Sequence, residues 1–117
     1  MIISATSALS AVSAYQKKMD VTANNVANVN TDKFKKSRLN LEEGANGGVT
    51  TSLQQINTPG FPKEITRDGE TVETESSNVD LAEEFTDMMV TEASYTANLK
   101  TVKVQDDMIG SLLDTIG

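Results

Sequence analysis

The sequence predicts a mainly α-helical protein, in which long N- and C-terminal helices pair as an antiparallel α-helical coiled coil with a small irregular β-hairpin insert between them. Residues 1–30 contain neither Gly nor Pro, and residues 79–117 contain Gly only at positions 110 and 117. Residues 31–78 hold five of the seven Gly and both Pro. Both ends also repeat apolar residues at steps of three and four, which is the spacing of one helix face. We therefore divide the chain into an N-terminal helical segment (1–36), a turn-rich insert (37–78) and a C-terminal helical segment (79–117). The two helical segments are expected to form one discontinuous core.

The N-terminal segment carries a narrow apolar row that starts at Ile2 and is interrupted by Gln16. The members that we expect to face the other helix are Leu9, Val12, Met19 and Val26. A second row of small and weakly apolar residues lies beside the first and consists of Ala8, Ala11, Tyr15, Thr22 and Val29. Such a stripe is typical of a helix that lies closely against another helix, although an ordinary amphipathic helix has the same pattern.

The insert predicts short and weak β structure. Residues 49–56 alternate loosely between apolar and polar, and residues 57–60 (Asn-Thr-Pro-Gly) are a strong turn signal. Residues 67–70 (Arg-Asp-Gly-Glu) are a hairpin turn signal between strands at 63–66 and 71–75. A ribbon this small is marginal on its own and needs support from a helix.

The C-terminal segment has the clearest pattern. Eleven positions from 81 to 116 follow strict 4-3 spacing, and nine of them are apolar or aromatic. We predict that these nine form the helix-pairing interface: Leu81, Phe85, Met88, Tyr95, Leu99, Val102, Ile109, Leu113 and Ile116. Asp80 is expected to cap the helix, with Glu83 as the returning carboxylate of a capping box. A helix from 80 to 116 is about 55 Å long, so part of its stripe is expected to contact another chain.

The charges of the two ends favour their pairing. Residues 1–40 carry six basic and two acidic groups, and residues 79–117 carry two basic and eight acidic groups. Exposed ion pairs contribute only about 0–1 kcal/mol each, so we expect charge to select the partner and register while apolar burial supplies the affinity.

The composition excludes several classes of function. The chain has no His and no Cys, which removes the usual zinc and iron–sulfur ligands, the Ser-His-Asp triad and a catalytic cysteine. Its net charge of −7 makes general nucleic-acid binding unfavourable, because affinity for phosphate comes from Lys and Arg. We see neither a secretory signal nor an apolar run of the roughly 20 residues that a membrane span needs. We expect no enzyme activity, no cofactor, no metal, no small-molecule substrate and no transmembrane segment.

The stretch at 23–31 (Ala-Asn-Asn-Val-Ala-Asn-Val-Asn-Thr), followed by Phe34, resembles the N-terminal signature of the bacterial flagellar rod and hook axial proteins. Residues 77–85 (Ser-Asn-Val-Asp-Leu-Ala-Glu-Glu-Phe) and the helix after them look like the closing helix of the same family. The resemblance covers roughly residues 5–36 and 76–116 and, given the small size and short insert, is strongest to the proximal-rod protein of the C type. The residues that match the assembly signature are Asn24, Asn25, Ala27, Asn28, Thr31 and Phe34.

The resemblance implies a structural subunit that assembles with itself and with other flagellar rod subunits into the axial tube of the basal body, which transmits torque and allows export. It also implies export from the cytoplasm by the flagellar type III apparatus without a cleaved signal peptide. In that setting the Asn-rich stretch lies where subunits touch, and its amides can donate and accept hydrogen bonds together. From the residues alone, a fraying helix end that tolerates Asn is the favoured interpretation of the stretch.

One position departs from the family pattern. The Gly that precedes the aromatic residue is Lys33 here. If the turn needs a left-handed backbone, a residue with a Cβ costs about 1 kcal/mol relative to Gly; otherwise the turn differs or the helix runs further.

Two alternatives to a rod subunit come from the residues themselves. A free-standing coiled-coil adaptor or a secretion-associated scaffold has the same helical pattern. An enzyme that uses the paired carboxylates at 42–43, 83–84 or 106–107 is disfavoured, because neighbouring residues on a helix point about 100° apart and do not converge on one atom.

Overall fold

The computed structural model describes residues 2–117, with side chains from Ala5 onward. Met1 and the side chain of Ile2, where the predicted N-terminal segment and row begin, lie outside the described residues. The elements in chain order are α1 (Ile2–Ala27), β1 (Ser37–Glu43), β2 (Val49–Gln55), β3 (Pro62–Arg67), β4 (Glu70–Glu75) and α2 (Leu81–Ile116). The molecule is elongated, measuring 79 × 24 × 21 Å. None of the helices within residues 2–117 combines the length and the apolar character that crossing a membrane requires.

The helix α1 ends inside the Asn-rich stretch. The Asn28 amide N–H donates to Asn24 O at 3.2 Å and to Asn25 O at 3.1 Å. Its side-chain Nδ2 also donates to Asn24 O at 2.9 Å. Asn side chains compete with the backbone for hydrogen bonds in this way, and the chain leaves the helix after Ala27, one residue beyond Val26, the last apolar member of the predicted row.

The helix α2 begins and ends where the sequence predicts. The Asp80 carboxylate accepts the Ala82 N–H at 3.0 Å and caps the first turn. The 36 residues of α2 correspond to a length of about 54 Å, and together the two helices make up more than half of the chain.

The first hairpin, β1–β2, contains one strand that the sequence predicts and one that it does not. The predicted strand near 49–56 is β2, and it pairs antiparallel with β1, which the sequence pattern did not reveal. This hairpin lies on α1, because Ser10 Oγ accepts the Val49 N–H at 3.0 Å. Gly48 approaches the helix closely: a Cβ there would lie 2.8 Å from Ser10 Oγ, and its φ is 80°.

The second hairpin, β3–β4, confirms the predicted hairpin and its turn. The turn residues Asp68 and Gly69 both have positive φ, at 54° and 83°, and Ile65 pairs with Val72 across the strands. Among the described elements, neither strand packs on a helix or on the first hairpin. The hairpin is held at its base instead, where the Lys33 N–H donates to Glu75 O at 3.0 Å.

The two helices lie side by side and run antiparallel. Asn25 near the end of α1 contacts Glu84 near the start of α2, and further along Met19 lies beside Thr91 and Tyr95. This arrangement confirms a mainly helical fold with a β insert, although the insert holds two hairpins rather than one. That the pair is a coiled coil stays a prediction.

The residues packed between the helices are small or polar. They are Ala8, Ala11, Thr22 and Asn25 on α1 and Glu84 and Thr91 on α2, all buried, with Met88, Tyr95 and Val102 of α2 half-buried between them. Met88, Tyr95 and Val102 belong to the predicted interface, whereas Leu9, Phe85 and Leu99, which were also predicted, are 55%, 50% and 42% exposed. On α1 the packed residues Ala8, Ala11 and Thr22 belong to the second row of the sequence analysis, and such small side chains allow the helix axes to approach.

Candidate assembly site

A polar junction joins the start of α2 to the end of α1 and to β1. We define it by Asn25, Arg38, Glu83 and Glu84. Asn25 and Glu84 are fully buried. Asn25 Nδ2 donates to Ser37 O at 2.8 Å and to Glu84 Oε2 at 3.3 Å, while its Oδ1 accepts the Ser37 N–H at 3.0 Å. A single amide thus pairs with both a strand backbone and a buried carboxylate, so it fixes the strand to both helices.

Arg38 neutralises both carboxylates of the polar junction. Its Nη1 lies 2.6 Å from Glu84 Oε1, and its Nη2 lies 2.7 Å from Glu83 Oε1. Burial opposes the charged guanidinium, but the hydrogen bonds to Glu83 and Glu84 outweigh it and raise the pKa of Arg38. A buried carboxylate is costly unless it is paired and hydrogen-bonded. Glu84 meets both conditions, because it forms an ion pair with Arg38 and accepts a hydrogen bond from Asn25.

Glu83 differs from its predicted role as the returning half of a capping box. Its Oε1 binds Arg38 of β1, and its Oε2 binds Lys36 Nζ at 3.0 Å. Both oxygens therefore form ion pairs with side chains outside α2. The hydrogen bonds from Arg38 and then from Lys36 lower the pKa of Glu83 below its ordinary value of 4.5. Asp80 keeps the predicted capping role without this partner.

Asn78 extends the polar junction to the insert, and sequence reasoning gave it no role. Its Oδ1 accepts the Lys36 N–H at 2.7 Å, and its Nδ2 donates to Ile56 O at 2.8 Å and to Thr58 O at 2.9 Å. The only sequence signal for this cluster is the opposite net charge of the two ends, which does not single out Asn78.

The six residues of the predicted assembly signature do not form one surface. Asn24 and Ala27 are exposed, Asn28 and Phe34 are half-buried, and Thr31 is exposed. Thr31 Oγ1 donates to Asn28 Oδ1 at 3.0 Å, which closes the turn after α1. Asn25 is enclosed within the chain, so in this conformation its amide is not available to a neighbouring subunit. Contact between subunits through Asn24 and Asn28 stays a prediction.

Lys33 adopts the left-handed conformation that the sequence comparison raised as a possibility. Its φ is 60°, and its N–H donates to Glu75 O, which anchors β4. The position therefore has a backbone conformation that Gly adopts more readily. The two alternatives, a different turn and a longer helix, do not apply.

The predicted pairing residues that are not packed between the helices share one side of the helix pair. On an α-helix with about 100° per residue, Leu9, Val12 and Met19 of α1 project to the same side as Phe85 and Leu99 of α2, and the half-buried Tyr95 lies at the edge of that side. We call this surface the open flank. The first hairpin covers the opposite side of α1, at Ser7 and Ser10. The helix pair is therefore covered on one side, and the other side exposes apolar residues beside Gln16, Asp20 and Glu92.

A cleft of about 230 Å³ lies in the middle of the open flank. Its walls are formed by Tyr15, Gln16, Met19 and Asp20 of α1 and by Thr91, Glu92 and Tyr95 of α2. The aromatic rings and the Met side chain make most of the wall apolar, which suits a bulky apolar side chain from outside.

The end of α2 extends beyond α1. Because Met19 lies opposite Thr91 in an antiparallel pair, the described start of α1 lies near residue 107 of α2. We call residues 106–116 the overhang. Its apolar side chains are exposed, with Leu113 at 64% and Ile116 at 84%. It includes the last three predicted pairing residues, Ile109, Leu113 and Ile116, and Ile109 is 38% exposed.

Within residues 2–117, no group of three or more His, Cys, Asp or Glu is placed to hold a metal ion. The carboxylates of the polar junction are neutralised by Arg38 and Lys36. The open flank and the overhang expose apolar side chains to other molecules.

Both ends of the chain match family models of flagellar proteins. Residues 6–35 match the family described as flagella basal body rod protein. Residues 73–115 match the family described as flagellar basal body rod FlgEFG protein C-terminal. The matched segments together span more than half of the chain, and they contain most of α1 and almost all of α2.

A curated relative supports the same assignment. A segment of 39 residues is 49% identical to the flagellar hook protein FlgE of Borreliella burgdorferi. The segment covers 33% of this chain but only 9% of that hook protein. The likeness is therefore limited to a short stretch of a much longer relative.

Proposed function

We propose that this chain, which belongs to the flagellar rod and hook protein family, is a structural subunit of the basal-body rod that assembles through its terminal helices. The observation that carries the proposal is the open flank. The two segments that match the family fold back on each other and leave an apolar surface that the chain does not cover by itself. Exposed apolar patches of this kind mark sites of protein association.

The partners that we propose are further copies of the chain and other flagellar axial subunits. The open flank and the overhang are different surfaces, and contacts between two different surfaces generate open helical assemblies instead of closed pairs. An axial tube is such an assembly. Location in the basal body and export by the flagellar type III apparatus belong to the same proposal and rest on family membership.

The short insert favours a proximal-rod subunit of the C type over a hook protein. Only residues 36–72 separate the two matched segments, and they fold into two small hairpins. The larger members of the family carry a much bigger middle domain, as the resemblance implies, and this chain has no room for one between its matched ends.

A flagellar complementation experiment tests the proposal. In a strain that lacks this gene, the wild-type chain is expected to restore motility and to copurify with basal bodies. Leu99→Asp places a charge on the open flank and is expected to abolish incorporation while both hairpins stay folded. Leu53→Asp is the matched control, because Leu53 is exposed on β2, away from α2, and this variant is expected to incorporate normally.

The alternative is a coiled-coil adaptor or a secretion-associated scaffold. Such a protein would form a closed dimer of fixed size at micromolar concentration, which analytical ultracentrifugation detects. A closed dimer, together with normal basal bodies in the deletion strain, contradicts the rod proposal.

A further inference from the structure

The cleft of the open flank is acidic. Its charged lining residues are Asp20 and Glu92, one from each helix. Neither of them belongs to any ion pair among the described residues. Lys17 and Lys18 precede Asp20 in the sequence, but neither lines the cleft. The cleft therefore attracts a cation from outside the chain.

Thr91 adds a buried hydroxyl that has no partner. It is 1% exposed and is the one fully buried residue of the lining, so it forms the floor of the cleft. Its Oγ1 forms no hydrogen bond within residues 2–117, whereas Thr86, Thr101 and Thr115 of the same helix donate to the carbonyl four residues earlier. A buried hydroxyl without a partner is costly, so a ligand that supplies a hydrogen bond here removes that cost.

The remaining walls suit a cation that is carried on an apolar stem. Tyr15 lies on the α1 wall and Tyr95 on the α2 wall, with Met19 beside them. Cations bind to the faces of aromatic rings, and the Met side chain adapts to irregular shapes. The volume is about 230 Å³, and a cavity of about 150 Å³ accommodates benzene. The cleft thus has room for a guanidinium group and part of its stem.

Arginine fits these groups better than lysine. The cleft offers four acceptor groups, namely the carboxylates of Asp20 and Glu92, the side-chain oxygen of Gln16 and the hydroxyl of Thr91. A guanidinium has five N–H donors in one plane and can stack on an aromatic ring, whereas an ammonium is a compact and strongly hydrated charge. The planar cation can therefore use the acceptors and the aromatic walls together.

The two Arg residues of this sequence do not meet these requirements. Arg38 is held in the polar junction by two carboxylates. Arg67 is followed by Asp68 and pairs with Glu70 across the hairpin turn, so it would bring two acidic groups towards an acidic cleft. The partner that supplies the arginine is therefore a different polypeptide.

We propose that the cleft of the open flank receives an arginine side chain from a different flagellar axial subunit, whose guanidinium binds Asp20 and Glu92. Phe85 and Leu99 lie one heptad before and after Glu92 and are 50% and 42% exposed. A partner segment in which apolar residues flank the arginine therefore matches this surface. The inference rests on the proposed function and names the chemistry of one partner.

Tyrosine fluorescence tests the inference on the purified full chain. The chain has no Trp and only two Tyr, and both of them, Tyr15 and Tyr95, line the cleft. The probe is a peptide without aromatic residues, acetyl-Leu-Ala-Ala-Arg-Ala-Ala-Leu-amide. We expect a saturable change in tyrosine emission, and an affinity that falls as salt is added, because salt screens exposed charges.

The same peptide with citrulline in place of arginine is the matched ligand control. Citrulline has nearly the same shape as arginine but carries no charge. We expect it to bind about tenfold more weakly, because it loses the attraction to both carboxylates of the cleft. The peptide with lysine in that place is expected to have an intermediate affinity.

Substitutions in the chain locate the contact. Glu92→Gln and Asp20→Asn are each expected to weaken binding of the arginine peptide about threefold, since each removes one exposed charge of the site. Glu73→Gln is the matched control, because it changes the net charge by the same amount on the exposed part of β4. This variant is expected to bind the peptide as the wild-type chain does.

Thr91→Val separates a binding role from a packing role. Val has a similar shape and replaces the unpartnered hydroxyl with a methyl group. We expect this variant to resist urea at least as well as the wild-type chain, yet to bind the arginine peptide about threefold more weakly. A hydroxyl that serves packing alone would not change the affinity for the peptide.

Several outcomes overturn the inference. They are equal affinities for the arginine and citrulline peptides, equal weakening by Glu73→Gln and Glu92→Gln, and no change in either tyrosine emission or the Met19 methyl NMR signal. Self-association of the chain that Arg67→Gln abolishes would assign the cleft to a second copy and also overturn it. Peptide binding is measured without basal bodies, so its failure leaves the rod proposal intact. A chain that binds the peptide but never enters basal bodies keeps the arginine site and loses the rod assignment.

Discussion

At the scale of single residues, the structure depends on polar side chains more than on large apolar ones. Asn25 and Glu84 are among the largest fully buried side chains of the described chain, and Arg38 is the charge that makes their burial possible. Lys33 holds a left-handed backbone where the family resemblance has Gly. Each of these residues gives a prediction that a single substitution can test.

Lys33→Gly is expected to stabilise the protein by roughly 0.5–1 kcal/mol. Gly adopts the φ of 60° without a Cβ clash, and this gain exceeds the extra entropy that Gly brings to the unfolded chain. Chemical denaturation measures the change. Lys33→Ala removes the same charge but retains the Cβ, so it is expected to show no such gain; equal stabilisation by both variants would attribute the effect to charge.

Arg38→Ala is expected to destabilise the protein by about 3 kcal/mol, because it leaves the buried Glu84 carboxylate without its cation. Urea denaturation measures the loss. Arg67→Ala is the control, since Arg67 lies next to the exposed turn of the second hairpin and takes part in none of the ion pairs among the described residues. A loss of unfolding free energy below 1 kcal/mol for Arg38→Ala would mean that Asn25 and solvent are enough to stabilise the Glu84 carboxylate.

Acid is expected to weaken the polar junction. The pKa of Glu83 is lowered from 4.5 in the folded protein, so its contribution is complete above about pH 4.5 and is lost as the pH falls through the folded-state pKa. Glu75, whose pKa Lys35 lowers, acts in the same direction. Unfolding free energies measured from pH 6 to pH 3 should decrease, and less steeply for Glu83→Gln than for Glu43→Gln, a control on the exposed end of β1.

At the scale of the elements, the first hairpin determines which side of the helix pair stays open. It rests on α1 through Gly48 and Ser10, and it receives the polar junction at Ser37. Among the described residues the second hairpin packs on neither helix and is attached at its base, through Lys33, Lys35 and Lys63. We therefore expect the second hairpin to be the less stable of the two ribbons.

Ser10→Ala is expected to loosen the first hairpin from α1 at a cost of about 1 kcal/mol, because the Val49 N–H loses its acceptor. Hydrogen exchange at the Val49 amide should accelerate, while exchange within α2 stays unchanged. Ser13→Ala, at an exposed position of the same helix, serves as the control and should leave that amide protected.

The sequence predicts the elements better than their faces. Long segments with regular apolar spacing and the Asp-Gly turn identify α1, α2 and the second hairpin, because these signals are local. The strand β1 is missed, since its pattern is irregular and its partner is needed to define it. The packed face coincides with the predicted row at Met88, Tyr95 and Val102, whereas Leu9, Phe85 and Leu99 are exposed on the open flank and small residues such as Ala8 and Thr22 allow the close approach.

At the scale of the whole molecule, the chain is a rod-shaped body with one covered and one uncovered side. The polar junction lies near the hairpin end of the helix pair, and the overhang lies at the other end. The longest dimension of the molecule is 79 Å. The site residues predicted from the sequence fall mainly on the uncovered side and on the overhang. That the apolar rows serve association between molecules stays a prediction, which the Leu99→Asp variant tests.

Asn28→Ala is expected to retain export and to weaken contacts between subunits, because the variant loses amide groups on the partly exposed turn after α1. Motility and the resistance of isolated basal bodies to acid or detergent measure the effect. Asn40→Ala, at an exposed position on β1, is the control. Unchanged motility and resistance would assign Asn28 solely to ending the helix.

The polar junction also sets an order of events for any chain that emerges from a narrow passage with its N-terminus first. Asn25 and Arg38 leave early, but they cannot complete their contacts until Glu84, 59 residues after Asn25, has followed. Until then α1 and the first hairpin can be joined by the hydrogen bonds of Asn25 with Ser37 and of Ser10 with Val49, without Glu84. Such a polypeptide can stay unfolded for most of its passage. It can complete the polar junction only after nearly three quarters of its residues, up to Glu84, have emerged.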